Sequence, residues 1–387
     1  MIISLAWIVM LPLSFSLVYL GVELAFGLRP LPDEVWKGFD RPRKVTILIP
    51  AHNESAGISL TVSALRAAAP TAEIVVVADN CDDDTAWLAQ QEGATVAVRH
   101  DRERRGKGFA LAFGREVLER DPPEVVIIID ADCRLAPGSA ERLALRALVS
   151  GLPVQASNLL TSDRASPLVA VSNFAMLVKN LVRARGITRL GGGAMLFGTG
   201  MGFCWPLFAR LPLATGDAVE DLSLGLWLAR QGVPVDLDDR ALVTSNAAPI
   251  ESSRAQRSRW EHGFLRTAAV KGVPLIMEGL LKRSRNLTSL GAHLLVPPLA
   301  LLMLLSVTAL AAVAAVGFWK GYWLPLIIGG SAFTFAIIML LISWWNYGRA
   351  VLPFADLLRV PFYILWKIPI YIGFFTRNQK DWNRTQR

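Results

Sequence analysis

Val125-Val126-Ile127-Ile128-Ile129-Asp130-Ala131-Asp132 is the stretch on which the reading of this chain turns. Five consecutive β-branched residues are stiff at χ1 and pack well on a pleated surface. An unbroken apolar run, with no alternation of polar residues, indicates a strand covered on both faces. Two carboxylates follow at its end. Working outward, Val45 to Ile49 is a similar short run ended by Pro50, and Glu73 to Ala78 is another, ended by Asp79. Thr95 to Val98 reads as a further strand, and helical stretches run from about Ser55 to Ala69 and from Lys107 to Arg120. Strands alternating with helices indicate an α/β domain with a parallel sheet, placed here between about Lys44 and Trp260. In such sheets ligands bind at the carboxyl ends of the strands, where Asp79 and Asp130 fall.

The remainder is unlike a soluble enzyme. Of 387 residues, 53% are apolar and only 19% charged, against roughly 25% charged in ordinary soluble domains. Disorder is excluded by the same figures. Cys81, Cys133 and Cys204 are odd in number and scattered, which excludes a disulfide scaffold and a cysteine zinc module. The net charge of +8, in so apolar a chain, points to anionic lipid or a phosphorylated substrate and not to nucleic acid.

The apolar excess lies at the two ends. Residues 1–28 carry one acid, Glu23, and are long enough to cross a bilayer. A cleaved signal peptide is the alternative, but the segment lacks a basic start and a small-residue cleavage site. Asn286 to Trp319 and Gly321 to Gly348 contain no Asp, Glu, Lys or Arg and read as a transmembrane hairpin turning at Lys320. Basic residues (Arg29, Lys37, Arg41, Arg43, Lys44; Lys282, Arg283, Arg285) flank the inner ends of these spans, so the central domain is expected in the cytoplasm of a multi-pass inner (plasma) membrane protein. Residues 261–285 are expected to form a helix lying on the cytoplasmic surface. Residues 350–387, with Asp356, Arg359, Lys367 and three prolines before a basic tail, are read as an interfacial or re-entrant segment, with a fourth span as the alternative.

No G-x-G-x-x-G follows the first strand and no G-x-x-x-x-G-K-[ST] occurs, so neither a usual dinucleotide fold nor a P-loop is supported. Asp130-Ala131-Asp132 can aim two carboxylates into one pocket, a donor set suited to Mg²⁺ or Mn²⁺ with substrate phosphates. A turn capping the next helix is the plainer reading. Asp79, heading Asn80-Cys81-Asp82-Asp83-Asp84, can be an Asx turn. Glu220-Asp221 can be favourable charge at a helix N-terminus, and Gln256 to Trp260 a basic surface turn.

Taken together and in order, these segments resemble the family 2 glycosyltransferases of the GT-A fold. The likeness is to the membrane-bound branch that contains cellulose, chitin and hyaluronan synthases and ceramide glucosyltransferases. The resemblance runs from about Thr46 to Trp260 and implies a Rossmann-like mixed sheet binding a nucleotide-sugar. It implies that Pro50, Asn53 and Glu54 form the nucleotide-facing turn. It likewise places Asp79 at the base, Lys107 near the donor, Asp130 near the ribose and Asp132 on the metal. Gly198-Thr199-Gly200 would line the acceptor side. Glu220-Asp221 matches the family's E-D pair, and Gln256, Arg259 and Trp260 its Q-x-x-R-W. The chain departs from the pattern at Val219, where Thr often precedes Glu-Asp, and in having fewer spans than the polymer-exporting synthases.

The expected chemistry follows. A departing diphosphate develops negative charge, which a cation on Asp132, with Arg259 and Lys107, would stabilise. Asp221 is the candidate base for the acceptor hydroxyl. Direct displacement implies inversion, so an α-linked donor, a UDP-sugar in the first instance, would give a β-linkage. Trp260 offers an aromatic face to an acceptor or an anchor at the interface. The acceptor is expected to be a lipid or lipid-linked glycan. A processive polysaccharide synthase is the alternative enzyme, and a transporter or non-catalytic nucleotide-binding scaffold the alternative class.

Overall fold

The computed structural model describes residues 2–33, 39–161, 166–246 and 250–376. Two compact units divide them. One comprises 30–33, 39–161 and 193–246, the other 2–29, 166–192 and 250–376.

The first unit is built on an eight-stranded sheet. Its strands are β1 (Val45–Ala51), β2 (Glu73–Asp79), β3 (Thr95–Arg99), β4 (Val125–Ile128), β5 (Cys133–Leu135), β6 (Val154–Thr161), β7 (Met201–Cys204) and β8 (Asp236–Asn246). Their order is β3-β2-β1-β4-β7-β6-β8-β5. The first four are parallel, as expected from the strand–helix alternation. The sheet as a whole is mixed, as the family resemblance implied: β7 runs antiparallel to both β4 and β6, and β5 to β8. The chain enters β7 from the Gly198–Gly200 turn, with Gly200 N–H donating to Ile128 O at 2.8 Å.

The runs that suggested buried strands are buried. Ile47, Leu48 and Ile49 and all of Val125 to Ile129 are at 0% exposure, each side chain worth roughly 1.5–3 kcal/mol on burial. One face carries Ile47, Ile49 and Ile127 into a core with Val62, Leu65 and Leu143 from two helices. On the other face the helix Lys107–Leu118 comes so close that a methyl on Gly114 would stand 2.8 Å from Leu48 Cδ1. Pro50 does not end β1, which continues to Ala51 opposite Ala78. β4 pairs with β1 only as far as Leu48, so the missing N–H of Pro50 lies beyond that ladder.

The second unit is helical. Ile2–Gly27, Leu299–Lys320 and Leu324–Gly348 are long and apolar enough to cross a membrane. The expected single span from Asn286 is two helices, Arg285–Leu294 and Leu299–Lys320. Pro297 and Pro298 supply no N–H donors and force the break. The expected surface helix is longer than foreseen, 32 residues from Ile250 to Leu281 with Pro274 inside it. Beyond the hairpin lie a short helix, Phe354–Leu357, and the helix Val360–Thr376. Glu23, the lone acid of the first helix, is fully buried and paired with Arg183 Nε at 2.6 Å and with His293 Nδ1 at 2.5 Å.

Candidate active site

β4 delivers Asp130 to the carboxyl end of the sheet, and the turn into β5 carries Asp132 and Cys133. Ligand atoms of these three residues lie within 4.8 Å of one another. The carboxylates are half-buried and the thiol is buried. Hard oxygen donors from Asp130 and Asp132 suit Mg²⁺ or Mn²⁺, which needs only one or two carboxylates beside substrate phosphates. The residues present therefore fit such an ion. Burial, and next the charges of Asp132 and Asp130, push the Cys133 thiol far up, so it contributes no charge.

Lys107 opens the helix Lys107–Leu118. Its Nζ lies 2.5 Å from Asp130 Oδ1 and 3.8 Å from Glu220 Oε1, and donates to Gly198 O at 2.7 Å. Burial alone would lower this ammonium; Asp130 and Glu220 outweigh it and hold the group firmly charged. Glu220 and Asp221 begin the helix Glu220–Arg230, where the dipole favours their charge. Burial lifts Glu220 to about 7, with Lys107 opposing and Asp221 and Asp130 reinforcing. Asp130 is likewise raised, chiefly by burial, against the pull of Lys107. One cation thus draws together Asp130 and Glu220 from segments far apart in the chain.

Gly198 is essential to that arrangement. Its φ is +82°, and a methyl there would stand 3.2 Å from Lys107 Nζ and 3.4 Å from Asp221 Oδ2. Asp221 therefore reaches the same point as Lys107. Thr199 is buried, and its Oγ1 accepts from Asp130 N–H at 3.1 Å, joining the glycine turn to the end of β4. Gln155 went unnoticed in the sequence. At 0% exposure on β6, its Nε2 donates to Thr199 O and its Oε1 accepts from Phe197 N–H, at 2.8 and 2.9 Å. The available signal was a Gln between Val154 and Ala156 at the start of the strand, where a buried amide must find partners.

Two further loops stand at the ends of β1 and β2. Asn53 and Asn80 have φ of +52° and +51°, a region that Asn tolerates better than most residues. Asn53 Oδ1 accepts from Asp82 N–H at 2.8 Å, and Glu54 N–H donates to Thr85 Oγ1 at 2.7 Å. The loops are thereby clasped together after Pro50. Asp79 is held between Arg99 Nη1 at 2.6 Å and Asn80 Nδ2 at 3.0 Å, in a largely buried ion pair. Arg99 was not singled out from the sequence, though it stands directly opposite Asp79 in the parallel register.

The structure thus brings together Lys107, Asp130, Asp132, Gly198, Thr199, Gly200, Glu220 and Asp221 in one unit, with Pro50, Asn53, Glu54 and Asp79 on strand ends of the same sheet. Arg259 and Trp260 belong to the helical unit, where Trp260 is 39% exposed. The side chain of Gln256 lies outside the described residues.

Residues 46–151 match the glycosyl transferase family 2 profile. RfbJ of Shigella flexneri is 28% identical over 99 residues, which are 26% of this chain and 72% of that protein. Among solved structures, the mannosyltransferase PcManGT from Pyrobaculum calidifontis, in complex with GDP-Man and Mn²⁺, superposes with a TM-score of 0.58. Identity there is 19%, over 95% of this chain and 100% of that one. Residues 46–151 of the sheet unit thus carry a family 2 glycosyltransferase domain match, and the unit has the GT-A fold. The profile ends before Gly198, Glu220 and Asp221, so those residues join the site through geometry.

Proposed function

We propose that this family 2 glycosyltransferase is membrane-bound and inverting, moving a sugar from a nucleotide-sugar, in the first instance a UDP-sugar, to a lipid or lipid-linked glycan to form a β-linkage. The observation that carries the reading is the convergence of Lys107, Asp130, Glu220 and Asp221 at the sheet's carboxyl end, in a chain that also has three helices apolar enough to span a bilayer.

Asp132, with Asp130, would hold Mg²⁺ or Mn²⁺, which supplies neutralising charge to the donor diphosphate. PcManGT, solved in complex with GDP-Man and Mn²⁺, is consistent with this. Lys107 adds a fixed positive charge where negative charge develops, and it does so without reorganisation because Asp130 and Gly198 O already hold it. Asp221 serves as the base that takes the acceptor proton. Glu220, more easily protonated, tempers the charge around it. Pro50, Asn53, Glu54 and Asp79 would bind the nucleotide, with Arg259 and Gln256 assisting the phosphates. Gly198, Thr199, Gly200 and Trp260 would face the acceptor. Membrane lipids cover the three apolar helices and the outward stripe of Val270, Val273, Met277 and Leu280, each more than half exposed, which ends at Lys282 and Arg283.

The purified protein, supplied with a panel of nucleotide-sugars and lipid extract, should release nucleoside diphosphate from one of them. Mass spectrometry should then find a lipid one or two sugars heavier. No release with any donor would overturn the reading, and a ladder of high-mass products would favour the processive alternative. Cysteines placed at Lys320 and at Arg384 should be labelled from opposite sides of the membrane.

A further inference from the structure

The helix Val360–Thr376 is apolar, yet it carries one lysine that is almost completely buried. Lys367 is 6% exposed, and its Nζ is ion-paired with Glu261 Oε1 on the helix Ile250–Leu281. It also lies 5.3 Å from the centre of the Tyr363 ring. The next residue, His262, is 8% exposed, and its Nε2–H donates to Ile370 O at 2.7 Å. Its ring meets Phe374 edge-on at 5.5 Å. Burial, and next the charge of Glu261, push the Tyr371 hydroxyl far up, so it remains neutral beside that carboxylate. Two consecutive residues of the long helix are thus gripped by one face of the C-terminal helix, through an ion pair, a hydrogen bond and an aromatic contact. They follow directly on Arg259 and Trp260.

A buried ion pair is an expensive way to join two helices, because replacing both partners with apolar residues is often neutral or stabilising. What such a pair does provide is one defined register. An apolar helix on an apolar helix can slide; a lysine that must meet its carboxylate cannot. We propose that Lys367 is a positioning residue, which acts through Glu261 to fix the turn of helix bearing Arg259 and Trp260. Its consequence for catalysis rests on the role given above to those two residues. The C-terminal segment is then part of the transferase machinery and more than a membrane anchor.

The test uses the full-length protein in detergent or nanodiscs. Lys367→Met keeps the length and apolar stem but removes the charge. With the nucleotide-sugar that the wild type turns over, kcat/KM should fall roughly 10- to 100-fold, the cost of a misplaced group remote from the chemistry. The Kd for nucleoside diphosphate measured without acceptor should weaken several-fold as well, because a displaced Arg259 no longer assists the phosphates. Lys367→Arg should recover most of the activity, and Lys367→Glu combined with Glu261→Lys should outperform either single change. Hydrogen exchange should accelerate in the peptide spanning 256–263 in Lys367→Met, and not in the peptide spanning 166–189. Wild-type kcat/KM in Lys367→Met, or faster exchange in both peptides alike, would overturn the proposal. Should the wild type turn over no donor at all, the functional reading fails. The local exchange pattern and its rescue by Lys367→Arg would then decide the positioning role by themselves.

Discussion

Replacing Lys107 with Met removes the ammonium that bridges Asp130, Glu220 and Gly198 O while retaining most of the side chain's volume. The acids it leaves behind are not equally hidden. Asp130 is 35% exposed and Glu220 18%, and Lys107 itself is 20% exposed. Breaking a fully buried pair costs about 3–5 kcal/mol, whereas exposed pairs are worth about 0.2–1 kcal/mol. With Asp130 a third open to water, the loss at pH 8 should be about 2 kcal/mol. For a unit of this size, that lowers the thermal midpoint by about 4–8 °C. Lys107 is also what pulls Asp130 and Glu220 downward, so without it both bind protons more readily. The penalty should therefore shrink as the pH falls and protonation relieves the repulsion among Asp130, Glu220 and Asp221. The assay is thermal unfolding of wild type and variant from pH 8 to pH 5, followed by a probe confined to the sheet unit. Equal midpoints at pH 8, or a gap that does not narrow towards pH 5, would refute this account of Lys107. Transfer should be lost at every pH, since the variant also lacks the charge that faces the diphosphate.

Glu220→Gln should stabilise the protein at pH 8. A carboxyl at about 7 in the fold and 4.5 when unfolded binds more protons folded than unfolded between those values, so wild-type stability rises as the pH falls through that window. The variant lacks this dependence and should exceed the wild type by about 2–3 kcal/mol above pH 8, with no advantage near pH 4.5, as measured by denaturant midpoints. Asp221→Asn should abolish transfer yet bind donor within a few-fold of the wild type, because it removes a group used only in the transition state; an active variant would place the base elsewhere. Treatment with EDTA should stop transfer and Mg²⁺ or Mn²⁺ should restore it, and Asp132→Asn should remain inactive on restoration; full transfer after chelation would exclude the metal.

What the sequence disclosed is tied to what is local. Val125 to Ile129 and Val45 to Ile49 announced themselves as strands because both faces are buried, which leaves no polar position to disguise the run. Asp130 and Asp132 were legible as the end of that run. The antiparallel β7 was not legible, since four residues after a glycine turn carry no record of which strand they will join. Gln155 was hidden for a similar reason: its partners Thr199 and Phe197 lie more than forty residues away, and an isolated Gln signals only that some partner must exist. Arg99 shares its register position with Asp79, but that pairing depends on β2 and β3 being neighbours. The break at Pro297-Pro298 could have been read directly, and composition alone passed over it.

The two ionisable residues that interrupted the apolar ends deserve the opposite weighting from the one their rarity suggests. Charge within membrane-spanning helices commonly marks a conduction path or proton relay, and Glu23 and His293 are the groups a transporter would have to use for one. In the helical unit they are spent on each other and on Arg183, with Glu23 offering one oxygen to each partner. At Gly186, a methyl would come within 1.9 Å of Glu23 O, so the backbones of the first helix and the helix Ala184–Arg189 touch beside this cluster. Such close packing suits a fixed joint and leaves no room for a carboxylate that must swing between two sides of a membrane. The charge that remains available for chemistry is at the other place, where Lys107 holds Asp130, Glu220 and the Gly198 turn around the reach of Asp221. The physical case for a transferase over a transporter is this contrast: acids locked by packing in one unit, and acids half-open to a substrate in the other.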